Sequence, residues 1–217
     1  MGIFAWIIEF FYWLINAVSP LFGFIPVPPT VKNPIIIVTG GFTAAILYLP
    51  FKKHLEAKGF EVHVINFSST KGIEFSAKNL SEYLDRNHLT NVILVGISTG
   101  SIASYVYLNK MDGWEKTKRF ISIAGPFRGT FLAYFSIFSK TGRELLPGSS
   151  FMKHFETIKN LHTERTYTIH AEKDELVPFW SSKIPCKETI IIPVYGHVRV
   201  HSFSKETFDT VAKIAKD

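Results

Sequence analysis

From Pro34 onward, short runs of Ile and Val alternate with longer stretches in which apolar residues recur at helical spacing. Pro34 to Thr39, Glu61 to Asn66, Asn91 to Gly96 and Arg119 to Ala124 read as buried strands, and Arg165 to His170 and Glu188 to Pro193 as two more. Between them, Ala44 to Lys58, Gly72 to Asn87 and Thr99 to Lys110 read as helices, the first ending at Gly59. Ser204 to Lys216 closes the chain as another. Continuous apolar strands joined by helices predict an α/β fold: a minimal, mostly parallel sheet of about six strands with helices on both faces. Ligands of such sheets bind at the carboxyl ends of the strands. Between Pro126 and Asn160 the alternation lapses, which marks a lid-like insertion at about 126–160 in a domain spanning 34–217.

The first 33 residues follow a different pattern. From Met1 to Val31 the only side chain charged at neutral pH is Glu9. Gly2, Ala5, Glu9, Tyr12, Asn16 and Ser19 recur at helical spacing, as one narrow stripe on an otherwise apolar N-terminal helix. Ser19-Pro20 stops that helix, and Pro26-Val27-Pro28-Pro29 makes a stiff linker. The run from Ile3 to Ser19 is shorter than the roughly 20 residues of a membrane span and carries a carboxylate near its middle, which disfavours a true crossing. Three readings stay open: an anchor on a membrane surface through residues 3–27, a helix packed on protein, and a secretory signal. Trp6, Tyr12 and Trp13 suit a water–lipid boundary, whereas no Lys or Arg precedes the apolar run as a signal would have. The expected location is therefore membrane-associated or cytoplasmic, with secretion the less favoured.

Composition narrows the classes further. A chain of 217 residues, 47% hydrophobic and 15% aromatic, can bury a sizeable core and is neither disordered nor fibrous. The net charge of +6 contains no run of five or six Lys or Arg, so nucleic acid is not an expected partner. A single cysteine, Cys186, excludes an intrachain disulfide framework and a cysteine-based zinc cluster. No phosphate-binding glycine loop is present. Ser150-Phe151-Met152-Lys153 and Lys140-Thr141-Gly142 stand in the reverse order of the penicillin-binding motifs, so that reading fails.

The candidate chemistry sits at a strand end. Gly96-Ile97-Ser98-Thr99-Gly100 follows the most strand-like run and precedes a helix. A sharp strand-to-helix turn there strains the backbone at Ser98 and lifts its hydroxyl above the sheet, and the flanking glycines remove Cβ clashes. A serine in this setting calls for an acid and then a histidine, each on a loop after a later strand. Asp174 follows the Arg165–His170 strand, and His197, preceded by Gly196, follows the next. Glu172 and Glu175 are rival acids, and His201 is the rival base. His197 and His201 would share a helical face, but no third zinc ligand lies nearby.

With these residues the chain resembles a small bacterial lipase or esterase of the α/β-hydrolase superfamily, a triacylglycerol lipase-like protein, over about residues 34 to 216. Val38-Thr39-Gly40-Gly41-Phe42 is similar to the oxyanion loop of such enzymes, and Leu146-Pro147-Gly148-Ser149-Ser150-Phe151 to the segment that closes their lid region. Thr39 stands where His is usual, and Ile97 where His is common. The resemblance implies a three-layer α/β-hydrolase fold and an oxyanion hole from the amides of Gly41 or Phe42 with that of Thr99. It also implies ester hydrolysis by Ser98, His197 and Asp174, without metal or cofactor, on an acyl ester or lipid. Phe127, Phe131, Tyr134, Phe135 and Phe138 recur at helical spacing, as a lid, an acyl-pocket wall or a core-facing stripe; Phe179 and Trp180 would add to an apolar pocket. Two other functions are carried forward: a membrane-associated acyltransferase or lipid-anchor deacylase with the same triad, and a non-catalytic scaffold on the same fold.

Overall fold

The computed structural model describes residues 33–216 together with Phe10 and Phe11. The apolar N-terminal helix and the proline linker, read above from the sequence, otherwise lie outside the described residues. Among the described residues no helix is long and apolar enough to cross a membrane.

Six strands form one sheet: β1 (Ile35–Val38), β2 (Val62–Ile65), β3 (Val92–Ile97), β4 (Thr117–Ile123), β5 (Thr166–Lys173) and β6 (Glu188–Tyr195). Their order is β2-β1-β3-β4-β5-β6, and every neighbouring pair is parallel. The helices are α1 (Leu49–Glu56), α2 (Ile73–Arg86), α3 (Thr99–Lys110), α4 (Lys140–Leu145), α5 (Ser150–Phe155), α6 (His197–Ser202) and α7 (Lys205–Lys216).

Strand alternation sorts the core into two layers. Ile35 and Ile37 of β1, with Ile93 and Val95 of β3, pack beside Phe51 of α1, Val198 of α6 and Phe208 of α7. Ile36 and Val38, with Leu94 and Phe120, pack beside Leu80 of α2, Ile102 of α3 and Phe155 of α5. Because both sets are buried, the central strands need apolar side chains at every position, which is why they read as unbroken Ile/Val runs. β6 departs from this. Ile191 is half-exposed, because β6 is an edge strand and the β5–β6 connection, residues 174–187, contains no helix to cover that face. Pro193 is tolerated there, where a missing N–H opens no gap between strands.

Two helical readings divide. Ala44 to Lys58 is a 3-10 turn, Ala45–Tyr48, followed by α1, because Pro50 has no N–H to give the carbonyl of Ile46 and so interrupts α-helical bonding. The stretch after Pro126 is not one helix. It is a 3-10 helix, Phe131–Ser136, followed by α4 and α5, whose first turns are capped by the hydroxyls of Ser139 and Ser149. This stretch is stitched to the body: Gly72 N–H donates to Thr141 Oγ1 at 3.0 Å, and Ile73 N–H, an orphan of the first turn of α2, donates to Glu144 at 2.7 Å.

Phe51 and Phe208 stack at 4.5 Å between ring centroids, 10° from parallel, and Phe51 is fully buried. Phe51→Ala should therefore cost about 3–5 kcal/mol of unfolding free energy, measured by urea denaturation. An unchanged midpoint would mean that this stack does not dock α7 on the sheet.

Candidate active site

The strand order reverses between β1 and β3, since the chain leaves β1 for β2 on one side and returns to β3 on the other. Loops diverge at that point and open a crevice at the carboxyl ends of the strands. Ser98 lies at the end of β3 with φ +50° and ψ −123°, a conformation unfavourable for any residue with a side chain. Two contacts hold it. Ser98 N–H donates to Ile123 O at 2.8 Å, and Ser101 N–H to Ser98 O at 2.9 Å. The glycines are required by crowding: a Cβ on Gly100 would stand 2.4 Å from the carbonyl oxygens of Val38 and Thr39, and one on Gly96 2.6 Å from the Cα of Ser101.

The structure brings Ser98, His197 and Asp174 together. Gly196, at φ +118°, turns the chain out of β6, and its N–H donates to Lys173 O at 2.8 Å, tying the histidine loop to the acid loop. His197 Nδ1–H donates to Asp174 Oδ2 at 2.7 Å, so that Nε2 is the acceptor for Ser98 Oγ–H at 3.0 Å. Asp174 is held in turn, its Oδ1 accepting the amides of Leu176 at 2.9 Å and Val177 at 2.7 Å. Both the imidazole and the carboxylate are nearly dry, each 6% exposed.

The rival residues stand elsewhere. Glu172 is exposed, and Glu175 takes the backbone N–H of His197 at 3.0 Å rather than its ring. His201 lies one turn along α6 with its Nδ1 on Ser202 Oγ at 2.7 Å, and its ring meets His197 edge-on at 5.2 Å. Burial, and then the neighbouring His197, hold His201 well below the usual imidazole range. Among the described residues no three His, Cys, Asp or Glu are grouped to hold a metal.

Of the three amides expected to line an oxyanion hole, that of Phe42 is engaged, donating to Ser69 Oγ at 2.6 Å. The amide of Thr99 opens α3 and has no intrahelical acceptor. Gly41 packs directly on Thr99: a Cβ on Gly41 would stand 3.1 Å from Thr99 Oγ1. Behind this loop Tyr48 is fully buried, and its hydroxyl accepts the N–H of Gly40 and meets Thr43 Oγ1, both at 3.2 Å. Burial pushes that phenol up to about 12, so it stays neutral as a prop. Ser69 and Tyr48 escaped the sequence reading, since nothing in their local pattern joins them to a loop 27 or 8 residues away.

A cavity of about 330 Å³ opens over Ser98 and His197. Its apolar wall comes from Leu132, Ala133, Phe135, Phe138 and Leu145, with Leu176 and Val177 of the acid loop. Of the aromatic residues named from the sequence for a lid or pocket, Phe135 and Phe138 line it. Phe127 is instead buried beside Tyr105 and Phe155, with ring centroids at 5.6 and 6.1 Å. Phe131 and Tyr134 are exposed, Phe179 meets the buried His170 edge-on at 5.1 Å, and Trp180 is half-exposed; these four do not line the cavity. The expected spacing assumed 3.6 residues per turn, whereas a 3-10 helix has three, and so the inward face carries Leu132 and Ala133 as well. The core-facing reading fails for Phe131, Tyr134, Phe135 and Phe138, all more than half exposed.

No family model matches the chain, and a comparison with curated proteins finds no match in sequence. Solved structures do resemble it. A lipase of Bacillus licheniformis in mature form superposes with a TM-score of 0.70 at 18% identity, over 87% of this chain and 96% of that one. An esterase from Exiguobacterium antarcticum gives 0.65 at 14% identity, over 89% and 94%. A bromoperoxidase from Bacillus anthracis gives 0.63 at 16%, over 86% and 93%. The fold of this chain is the α/β-hydrolase fold.

His170, four residues before Asp174, is pushed by burial from 6.5 down to about 4, with Asp174 pulling it up and Lys183 pushing it down. Its folded value lies below its unfolded one, so its contribution is intact above pH 6.5 and is lost as pH falls toward 4, where only the unfolded chain takes the proton. His201 acts in the same direction. Urea titrations at pH 7 and pH 4.5 should show a smaller acid-induced loss of stability in His170→Gln than in wild type. Equal losses would mean that His170 is already protonated in the folded state.

Proposed function

We propose that this protein is a serine hydrolase that cleaves carboxyl esters of apolar acids through an acyl-enzyme. The observation that carries the reading is the unbroken chain of contacts from Ser98 Oγ through His197 to Asp174, at 3.0 and 2.7 Å, at the mouth of an apolar cavity. The fold shared with lipases and esterases adds to it.

Ser98 Oγ attacks the ester carbonyl while His197 Nε2 takes its proton. Asp174, bound to Nδ1, keeps the ring in the tautomer whose Nε2 accepts, and stabilises the imidazolium that forms. The carbonyl π pair moves to oxygen, which receives the amides of Gly41 and Thr99. A single such donor is commonly worth about 3 kcal/mol in the transition state. The carbonyl re-forms, the C–O bond to the alcohol breaks, and the alcohol leaves with the proton from His197. Water repeats the route and frees the acid.

The substrate is read from the wall. Leu132, Ala133, Phe135, Phe138 and Leu145 offer an acyl chain an apolar surface with no charge to pair, and Phe135 and Phe138, both mostly exposed, extend that surface to solvent. An uncharged acyl group loses least by desolvation there.

Wild type should take a covalent fluorophosphonate label and hydrolyse p-nitrophenyl esters, and Ser98→Ala should do neither. Asp174→Ala should keep its circular dichroism spectrum while kcat falls about 10³–10⁴-fold. A folded wild type that neither labels nor hydrolyses any acyl ester would overturn the reading.

A further inference from the structure

Thr99 carries a hydroxyl that the resting fold leaves without a partner. The residue follows Ser98, opens α3 and lines the cavity. It is 9% exposed, and its buried Oγ1 finds no hydrogen-bond acceptor or donor among the described residues. A buried, unpaired hydroxyl destabilises a fold, and Val would fill the same shape without that cost. Other hydroxyls of this region are satisfied: Ser101 Oγ donates to Gly96 O and Thr43 Oγ1 to Gly40 O, both at 2.8 Å. Ser104 and Ser122 are also unpaired, but they lie off the cavity.

The surroundings of Thr99 point to an oxygen supplied from outside. Its own amide is an orphan of the first turn of α3, and the backbone of Gly41 lies against its side chain. A Cβ on Gly41 would stand 3.1 Å from Thr99 Oγ1 and 3.7 Å from Cγ2, so the glycine keeps the space beside both branches open. At the first position of a helix no carbonyl three or four residues back competes for the hydroxyl, which leaves Thr free to exchange Oγ1 and Cγ2 by turning about χ1.

We propose that Thr99 Oγ1–H is a third donor to the substrate oxygen, completing with the two amides a cradle for the tetrahedral intermediate. This rests on the serine-hydrolase reading above. As Ser98 Oγ bonds to the carbonyl carbon and His197 takes the proton, the π pair moves to oxygen, and the hydroxyl turns to donate to it. When the carbonyl re-forms, the hydrogen bond weakens and no proton is transferred through Thr99. A donor that gains its partner only as charge develops acts on kcat and leaves substrate affinity nearly unchanged.

The test is Thr99→Val beside Thr99→Ser, with kcat and KM measured on a p-nitrophenyl ester and unfolding followed in urea. The Val variant should lose about 10²-fold in kcat with little change in KM, while its urea midpoint stays at or above that of wild type. The Ser variant should keep most of the turnover. Undiminished kcat in Thr99→Val overturns the third donor, and so does a joint loss of stability and activity, which would mean that the hydroxyl is already paired in the resting fold. Fluorophosphonate labelling separates the two levels: an unlabelled wild type sinks the serine-hydrolase reading itself, whereas a labelled wild type beside a fully active Val variant sinks only the role of Thr99.

Discussion

The backbone at Ser98 is the constraint to which the rest of the site refers. Its left-handed φ has a steric cost, which the surrounding sheet and helix offset by fixing the residue on both sides: β4 takes its N–H, and the first turn of α3 takes its carbonyl. The crowding of Gly100 on the ends of β1 leaves no room for the elbow to relax. Ser98 is therefore held by the most buried strands of the fold, while Asp174 and His197 reach it from beyond the ends of β5 and β6, toward one side of the sheet. Precision in the centre and adjustment at the margin is an arrangement suited to groups that must stay within hydrogen-bond reach.

Electrostatics around His197 follow from burial. A nearly dry carboxylate is tolerable at Asp174 because three donors meet it: the imidazole N–H and two backbone amides. His201, whose ring meets that of His197, and His170, which feels the charge of Asp174, are both kept below the usual imidazole range by desolvation. His201 therefore adds no second positive charge beside His197. Glu175, holding the backbone of His197, places a carboxylate at the start of α6, where the first amides need an acceptor.

Legibility in the sequence followed the physics of each element. Strands β1, β3 and β4 were plain because both of their faces are buried, and α3 was plain because the glycine-flanked turn at Ser98 fixes where it starts. Ser98, Asp174 and His197 could be read as a group because each sits just after a legible strand. The pocket wall could not. The segment from Phe131 to Ser136 turns every three residues, so a reading by 3.6 misassigned its faces, and Phe127 belongs to a separate aromatic cluster with Tyr105 and Phe155. That the amide of Phe42 is already engaged could not be read either, since Ser69 is a partner 27 residues distant that only the folded chain reveals.

The order of the strands also decides which part of the site is the first to come apart. Ser98 and the loop from Gly40 to Thr43 rest on β1, β3 and β4 inside the sheet, whereas His197 follows β6, an edge strand held on one side only. Edge elements open at lower free energy than central ones, so mild denaturant would detach the imidazole from Ser98 Oγ, 99 residues away in sequence, while the elbow keeps its shape. A nearly folded molecule of this design can thus hold its strained serine with the histidine swung away.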